Sequence, residues 1–401
     1  MIATPPDRAE KAKAPLFLLI AITALAPVSL QIFIPALPAI QASFGTRTGI
    51  TQLVLSLSIF ANAIATLAYG PLSDRFGRRP VVLVGLVVFV VGSVLSSIAP
   101  DISFLIVARI IQSSGAAAGM VLARAIIRDL YDREQAASAI AYLTMAMVVA
   151  PMIAPTIGAI LIDQLDWRAI FVAMTGLGAL LTLYVWRCLM ETRATRYGFA
   201  SHSLMTGAFL LLRQRAFVAY MLQSAFAISM FFAFISGAPY FMIDILDRSA
   251  TEYGLLFMVV SGGFMIGNFT SARLGSRVGI DRLIWIGSVL AVAANGLTVV
   301  LMVSGSWTPL ALFGPMMVTG YGNGLSIANA QAGAISIDPK LAGTASGLTG
   351  FFQMLVAALV SQSVGAMQNG TPYPMVFFMF GCAFLSLVCF GLLHHRQPTT
   401  I

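Results

Sequence analysis

The chain has 401 residues, of which 59% are hydrophobic and 9% charged, and a formal net charge of +8. Soluble domains carry about 25% charged residues, so this composition excludes a soluble enzyme or binding module and marks an all-α, multi-pass membrane protein with the lipid bilayer as its main partner. The basic surplus does not imply nucleic acid, because the Lys and Arg are sorted to one side of the membrane rather than gathered into a patch.

Apolar stretches of about 20 residues, each able to cross about 30 Å of hydrocarbon as a helix, occur about twelve times. They lie at about 16–38, 49–70, 80–99, 101–124, 136–160, 168–189, 216–242, 254–276, 282–303, 307–332, 341–366 and 372–393. The first is too long for a signal-peptide core and lacks a small-residue cleavage site, so it is expected to stay in the protein. With the tail 1–15 (Arg8, Lys11, Lys13) cytoplasmic, roughly nineteen of the 23 Lys and Arg fall inside and Arg47, Arg168 and Arg248 outside. That positive-inside bias predicts that both termini are cytoplasmic. The Arg-rich stretch 191–215 is read as a cytoplasmic loop between an N-terminal six-helix bundle (16–190) and a C-terminal one (216–394), with a short tail 395–401.

The first span contains PVSLQIFIPALPAI, where Pro35 and Pro38 are expected to bend or end the helix, Pro27 to loosen its inner half, and Gln31 is the one polar side chain. After the second span comes GPLSDRFGRRP (70–80), with a weaker counterpart, GNFTSARLGSRVG (267–279), after the eighth. A repeat of this kind marks secondary transporters. Gly70 would let the second span approach a neighbour, Gly77 permits a sharp turn, and Asp74 stands beside Arg75, Arg78 and Arg79. A carboxylate among guanidiniums can latch helix ends in one conformation and release them in another. The alternative is an incidental acid in a basic loop.

Arg109, in the fourth span, is the one charge inside the bilayer zone. It must find carbonyls, amides such as Gln112 or Gln31, water or a substrate anion. It either serves transport or fixes the fourth span to the first. In the fifth span Pro151 and Pro155 stand one turn apart and should bend the helix, while Gly158 and the surrounding alanines leave a smooth face expected to pack on a helix of the opposite bundle and suppress leak. No acid falls mid-helix: Asp101, Asp163, Asp166, Asp244, Asp247 and Glu252 fall to the outer side and the rest to the cytoplasmic side. With no His at depth and no metal spacing around Cys188, Cys382 or Cys389, neither an intramembrane enzyme nor a metal or other cofactor is expected. Nothing resembles a channel filter.

The 70–80 stretch resembles motif A of the major facilitator superfamily, LIVARIIQSSGAAAG (105–119) its motif B, and APMIAPTIGA (150–159) its antiporter motif C. The strings RDLY (128–131), AGTASGLTGFFQ (342–353) and PALPAI are most similar to the bicyclomycin and chloramphenicol resistance (Bcr/CflA) branch of drug:proton antiporters. The resemblance implies two six-helix bundles, twelve transmembrane helices in all, around a cavity lined by helices 1, 4, 7 and 10 and open alternately to each side. It implies small amphipathic substrates expelled against protons, and a monomer is expected. Candidate cavity residues are then Gln31, Phe33, Arg109, Gln112, Gln223, Phe231, Asn323, Asn329 and Gln353. The latch would use Gly70, Asp74, Arg75, Gly77, Arg78 and Arg79, and motif C Pro151, Pro155 and Gly158. Three positions depart from the branch: Gln31 stands where an aspartate is usual, Thr66 for a glutamine and Ser113 for a glycine. An amide at 31 cannot titrate, which puts the usual proton site in doubt. The alternative reading is a facilitator or uptake carrier of a small polar or anionic solute anchored by Arg109.

Overall fold

The computed structural model describes residues 16–131, 133–192, 204–338 and 341–394, and among these every regular element is helical. The first crossing is α1 (Leu16–Gln31), one 3-10 turn (Ile34–Ala36) and α2 (Leu37–Phe44). The break falls where the prolines demand it. Pro35 and Pro38 each occupy a first-turn position of the segment that follows, where no amide proton is needed. Pro27 stays inside α1.

The remaining elements are α3 (Thr48–Phe76), α4 (Arg78–Ser97), α5 (Ile102–Leu130), α6 (Arg133–Gln164), α7 (Trp167–Cys188), α8 (Leu204–Leu212), α9 (Arg215–Tyr240) with a π turn (Phe241–Ile245), α10 (Ala250–Val278), α11 (Ile280–Val303), α12 (Pro309–Ser336), α13 (Ala342–Ala366) and α14 (Tyr373–His394). The helix α8 lies within the stretch read as a plain loop. Its apolar run LMTGAFLLL gives it something to bury, and Gly207 lies against Leu341 and Thr344 at the start of α13.

Helices α1–α7 pack with one another around α5, and α9–α14 around α12. The two groups meet mainly through α3 on α13 and α6 on α10. Eleven crossings are long and apolar enough to span a membrane, among the described residues. The twelfth, α12, is as long and uncharged but diluted by Gly320, Gly322, Asn323, Gly324 and Asn329. Its small residues face protein instead of lipid: a Cβ on Gly322 would stand 2.5 Å from the Gly287 carbonyl of α11, and one on Gly324 2.5 Å from the Phe264 carbonyl of α10. Wedged so tightly between neighbours, α12 has little need of an apolar outer face.

The internal repeat is visible in the backbone. Both α3 and α10 have 29 residues. Each ends at a single glycine, Gly77 (φ 98°, ψ 156°) or Gly279 (φ 88°, ψ 150°), after which the next helix starts at once. These φ values suit only glycine. Counting back from the two glycines sets Ser276 against Asp74, so the second loop lacks the latch carboxylate.

Candidate functional site

The two helical groups are joined at one end. Gln52 Nε2 donates to Ser236 Oγ (2.9 Å) and Ser361 Oγ (2.8 Å), Ser56 Oγ donates to Gln362 Oε1 (2.8 Å), and Gln362 Nε2 donates to the Gly49 carbonyl (3.0 Å). On the α6–α10 side, Thr156 Oγ1 donates to the Gly254 carbonyl (2.8 Å) and Asp163 Oδ2 accepts from the Thr251 amide (2.9 Å) and hydroxyl (2.5 Å). Among the described residues every hydrogen bond between the groups lies here, at the end bearing the loops 45–47, 165–166, 246–249 and 367–372. A cavity of about 280 Å³ lies at this rim between α2, α6 and the start of α10, with Asp163, Asp244 and Arg248 in its lining.

Inside the first group, Arg109 is 1% exposed. Its guanidinium lies 3.9 Å from the centre of the Phe33 ring, a close cation–π contact, and 5.7 Å from that of Phe171, which packs beside Phe33 with centroids 6.4 Å apart. It donates to the Ser29 carbonyl (3.2 Å), where α1 nears its break, and to Gln112 Oε1. Gln112 in turn donates to Ser93 Oγ (2.7 Å). Arg109 thus ties α5 to α1 and α4, while its Nε and one terminal nitrogen stay buried without a partner. Phe33 is fully buried and packs on Phe171, so it lines this slot inside the group. Gln31, at the end of α1, is half-buried with an unpartnered Oε1.

The second group holds its amides in the same way. Gln223 donates to Ser288 Oγ (3.2 Å), Asn323 to the Ala227 carbonyl (3.1 Å), Asn329 to Ser271 Oγ (2.6 Å), and Gln331 to Gln353 Oε1 (3.2 Å). Phe231 is half-buried against Phe232 and Phe257. The nine candidates therefore form two separate sets, one per group. No hydrogen bond among the described residues joins one set to the other.

At the opposite end of the molecule, Asp74 pairs with Arg78 (2.7 Å), and Arg78 Nε donates to Asp129 (3.1 Å). The amides of Arg78 and Arg79, at the free N-terminus of α4, donate to the Glu191 carboxylate (2.9 and 3.2 Å). Any Cβ on Gly77 would come within 2.5 Å of Glu191 Oε2, a second reason for glycine there. Arg79 also donates to the Trp186 carbonyl (2.7 Å), and Arg75 lies over the Phe76 ring. These contacts of the cluster, all among the described residues, lie within the first group. Glu191 is not among the residues expected in the latch; its local signal is a carboxylate just past the end of α7, whose last turn carries Arg187. Gly70 has open space where a Cβ would stand, not the close neighbour expected, because at this end its face of α3 has no opposite helix.

Motif C meets the opposite group as expected of its alanines, but not through its glycine. Pro151 and Pro155 lie inside a continuous α6, and Gly158 faces α1 of its own group: a Cβ there would stand 1.7 Å from the Ile32 carbonyl. The opposite group is met by Thr156 and Ala159, which pack on Gly254. One helical turn carries both contacts on different faces, and the proline spacing does not reveal which residue points where.

The sequence matches the family described as Major Facilitator Superfamily over residues 19–361. The chain belongs to this superfamily. It is thus a multi-pass membrane transporter rather than an enzyme. Similar members include multidrug resistance protein D of Escherichia coli strain K12, 30% identical over 88% of each chain. The bicyclomycin resistance protein homolog of Haemophilus influenzae is 26% identical over 93% of this chain and 94% of its own. Among solved structures, a bacterial homolog of the human lysosomal transporter Spinster in an inward-facing, unoccupied conformation superposes with a TM-score of 0.77 over 100% of both chains at 15% identity. That likeness speaks for the facilitator fold.

Proposed function

We propose that this facilitator is a secondary active exporter of small amphipathic molecules in a bacterial inner membrane, working by alternating access in exchange for protons. The observation that carries the reading is the one-sided seam: all hydrogen bonds between the two groups of described residues sit at one end. At the other end Asp74, Arg78 and Asp129 pair within the first group. A carrier that rocks between two openings needs one seam made and the other released. The charge distribution supports cytoplasmic termini, so that the sealed end faces outward and this conformation opens inward. Relatives named for drug and bicyclomycin resistance support export. The second reading, a carrier anchored on a solute by Arg109, is weakened by the burial of that side chain against the Phe33 ring.

The test is transport in proteoliposomes with an imposed pH gradient, against a panel of antibiotics and metabolites. Gradient-driven movement of amphipathic compounds, opposite in direction to protons, is expected; gradient-independent uptake of small anions would overturn the reading. Within the same assay Asp74→Asn should reduce turnover about tenfold, the loss of one charge-assisted hydrogen bond in the latched state. The Asp74 side chain is 60% exposed, so heat stability should change by less than about 1 kcal/mol. Normal turnover in this variant would remove the latch from the mechanism.

A further inference from the structure

Gln52, in the second turn of α3, is fully buried at the seam. Both of its amide protons cross to the other group, one to Ser236 of α9 and one to Ser361 of α13. The carbonyl oxygen of the same side chain is buried with no hydrogen-bond partner. Ser236 gives its own proton to the Phe232 carbonyl (2.6 Å), which leaves it an acceptor towards Gln52, so this orientation of the amide makes two hydrogen bonds where the flipped one could accept only from Ser361. The two serines also bond each other (2.8 Å). Gly365 completes the contact, since a Cβ there would stand 2.4 Å from that of Gln52. The neighbouring Gln362 differs: its oxygen accepts from Ser56 and its nitrogen donates to Gly49.

A carbonyl oxygen shut away from water and from any donor is disfavoured relative to its hydrated state. Parting α3 from α13 hydrates it. The seal at this end therefore holds within it a bias toward opening, set by one atom. We infer that Gln52 is a gating residue whose unmet carbonyl keeps the sealed end metastable, so that the two openings stay close enough in free energy to interconvert. This rests on the alternating-access reading above.

Gln52→Met keeps the length of the side chain and removes the carbonyl, while Ser236 and Ser361 retain their bond to each other. The readout is the distance between spin labels at Ser43→Cys and Ser306→Cys, exposed positions at the sealed end, one in each group. Cys188, Cys382 and Cys389 are first replaced by serine, and the protein is held in lipid nanodiscs without substrate or gradient. Gln52→Met should lower the ratio of open to sealed molecules about tenfold. Ser361→Ala, which takes one acceptor from Gln52 and leaves the carbonyl unmet, should raise the ratio about threefold. A ratio within about twofold of wild type in Gln52→Met, or a rise, overturns the inference. If that variant does not give a folded, monodisperse protein, Ser361→Ala decides, and no rise in the ratio overturns it. A wild type with one fixed distance, unchanged by both variants, brings down alternating access and the inference together. Expected shifts alongside a panel that shows no export would sink the exporter reading and leave the gate standing.

Discussion

Arg109→Ala should abolish transport and lower heat stability by about 2–5 kcal/mol, the usual cost of truncating a large, fully buried side chain to alanine. The substitution opens a hole beside Phe33 and Phe171 and strips Gln112 Oε1 of its donor in the fully buried centre of the first group. Arg109→Met separates the two roles of the side chain. A thioether fills the space over the Phe33 ring with a favourable sulfur–aromatic contact, and the two unpartnered guanidinium nitrogens disappear. Much of the stability should then return, as it does when buried charges give way to well-packed apolar groups. Transport should not return. Heat-induced aggregation of the solubilised protein, read beside proteoliposome transport, checks both parts. Wild-type transport by the methionine variant would show that Arg109 only ties α5 to α1.

Gly158→Ala is the second large effect. The added carbon would overlap the Ile32 carbonyl, a backbone atom in the broken stretch between α1 and α2, which no side-chain rotation can relieve. Overpacking of this kind typically costs about 1–3 kcal/mol, and more where backbone must shift. Most of the folded protein should be lost at 37 °C, seen as a fall in yield and melting temperature. Gly176→Ala is the matched control. It lies in α7 with nothing within 4 Å of the new carbon, and it should be neutral or stabilise by up to about 1 kcal/mol through helix propensity. An unaltered melt for Gly158→Ala would mean that the α1 break yields freely to α6.

The crossings were legible because hydropathy over about 20 residues is a local property, and the α1–α2 break because proline acts on its own backbone. The turn at Gly77 was readable for the same reason. Helix rotation was not. Phe33 was assigned to the cavity by its position along the first span, yet it faces Arg109 and Phe171, which depends on how α1 packs against α5 and α7. Gly158 was assigned to the opposite bundle, and the choice between that face and α1 is made by tertiary contact. The seam itself, from Gln52 to Ser361 and from Asp163 to Thr251, joins residues far apart in the chain with no spacing rule to announce them. A glutamine in the second turn of an apolar helix was the one local trace of it.

The two one-residue turns have a mechanical consequence. A single residue reaches at most about 3.6 Å, so the end of α3 cannot draw away from the start of α4, nor α10 from α11. Each pair is a stiff hairpin with no slack at its elbow. Any swing of α3 against α13 is handed directly to α4, and any swing of α10 against α6 to α11, so the repeat acts as two coupled levers. The play that lets them turn lies at the far end, where the connections 98–101, 304–308 and 367–372 are longer.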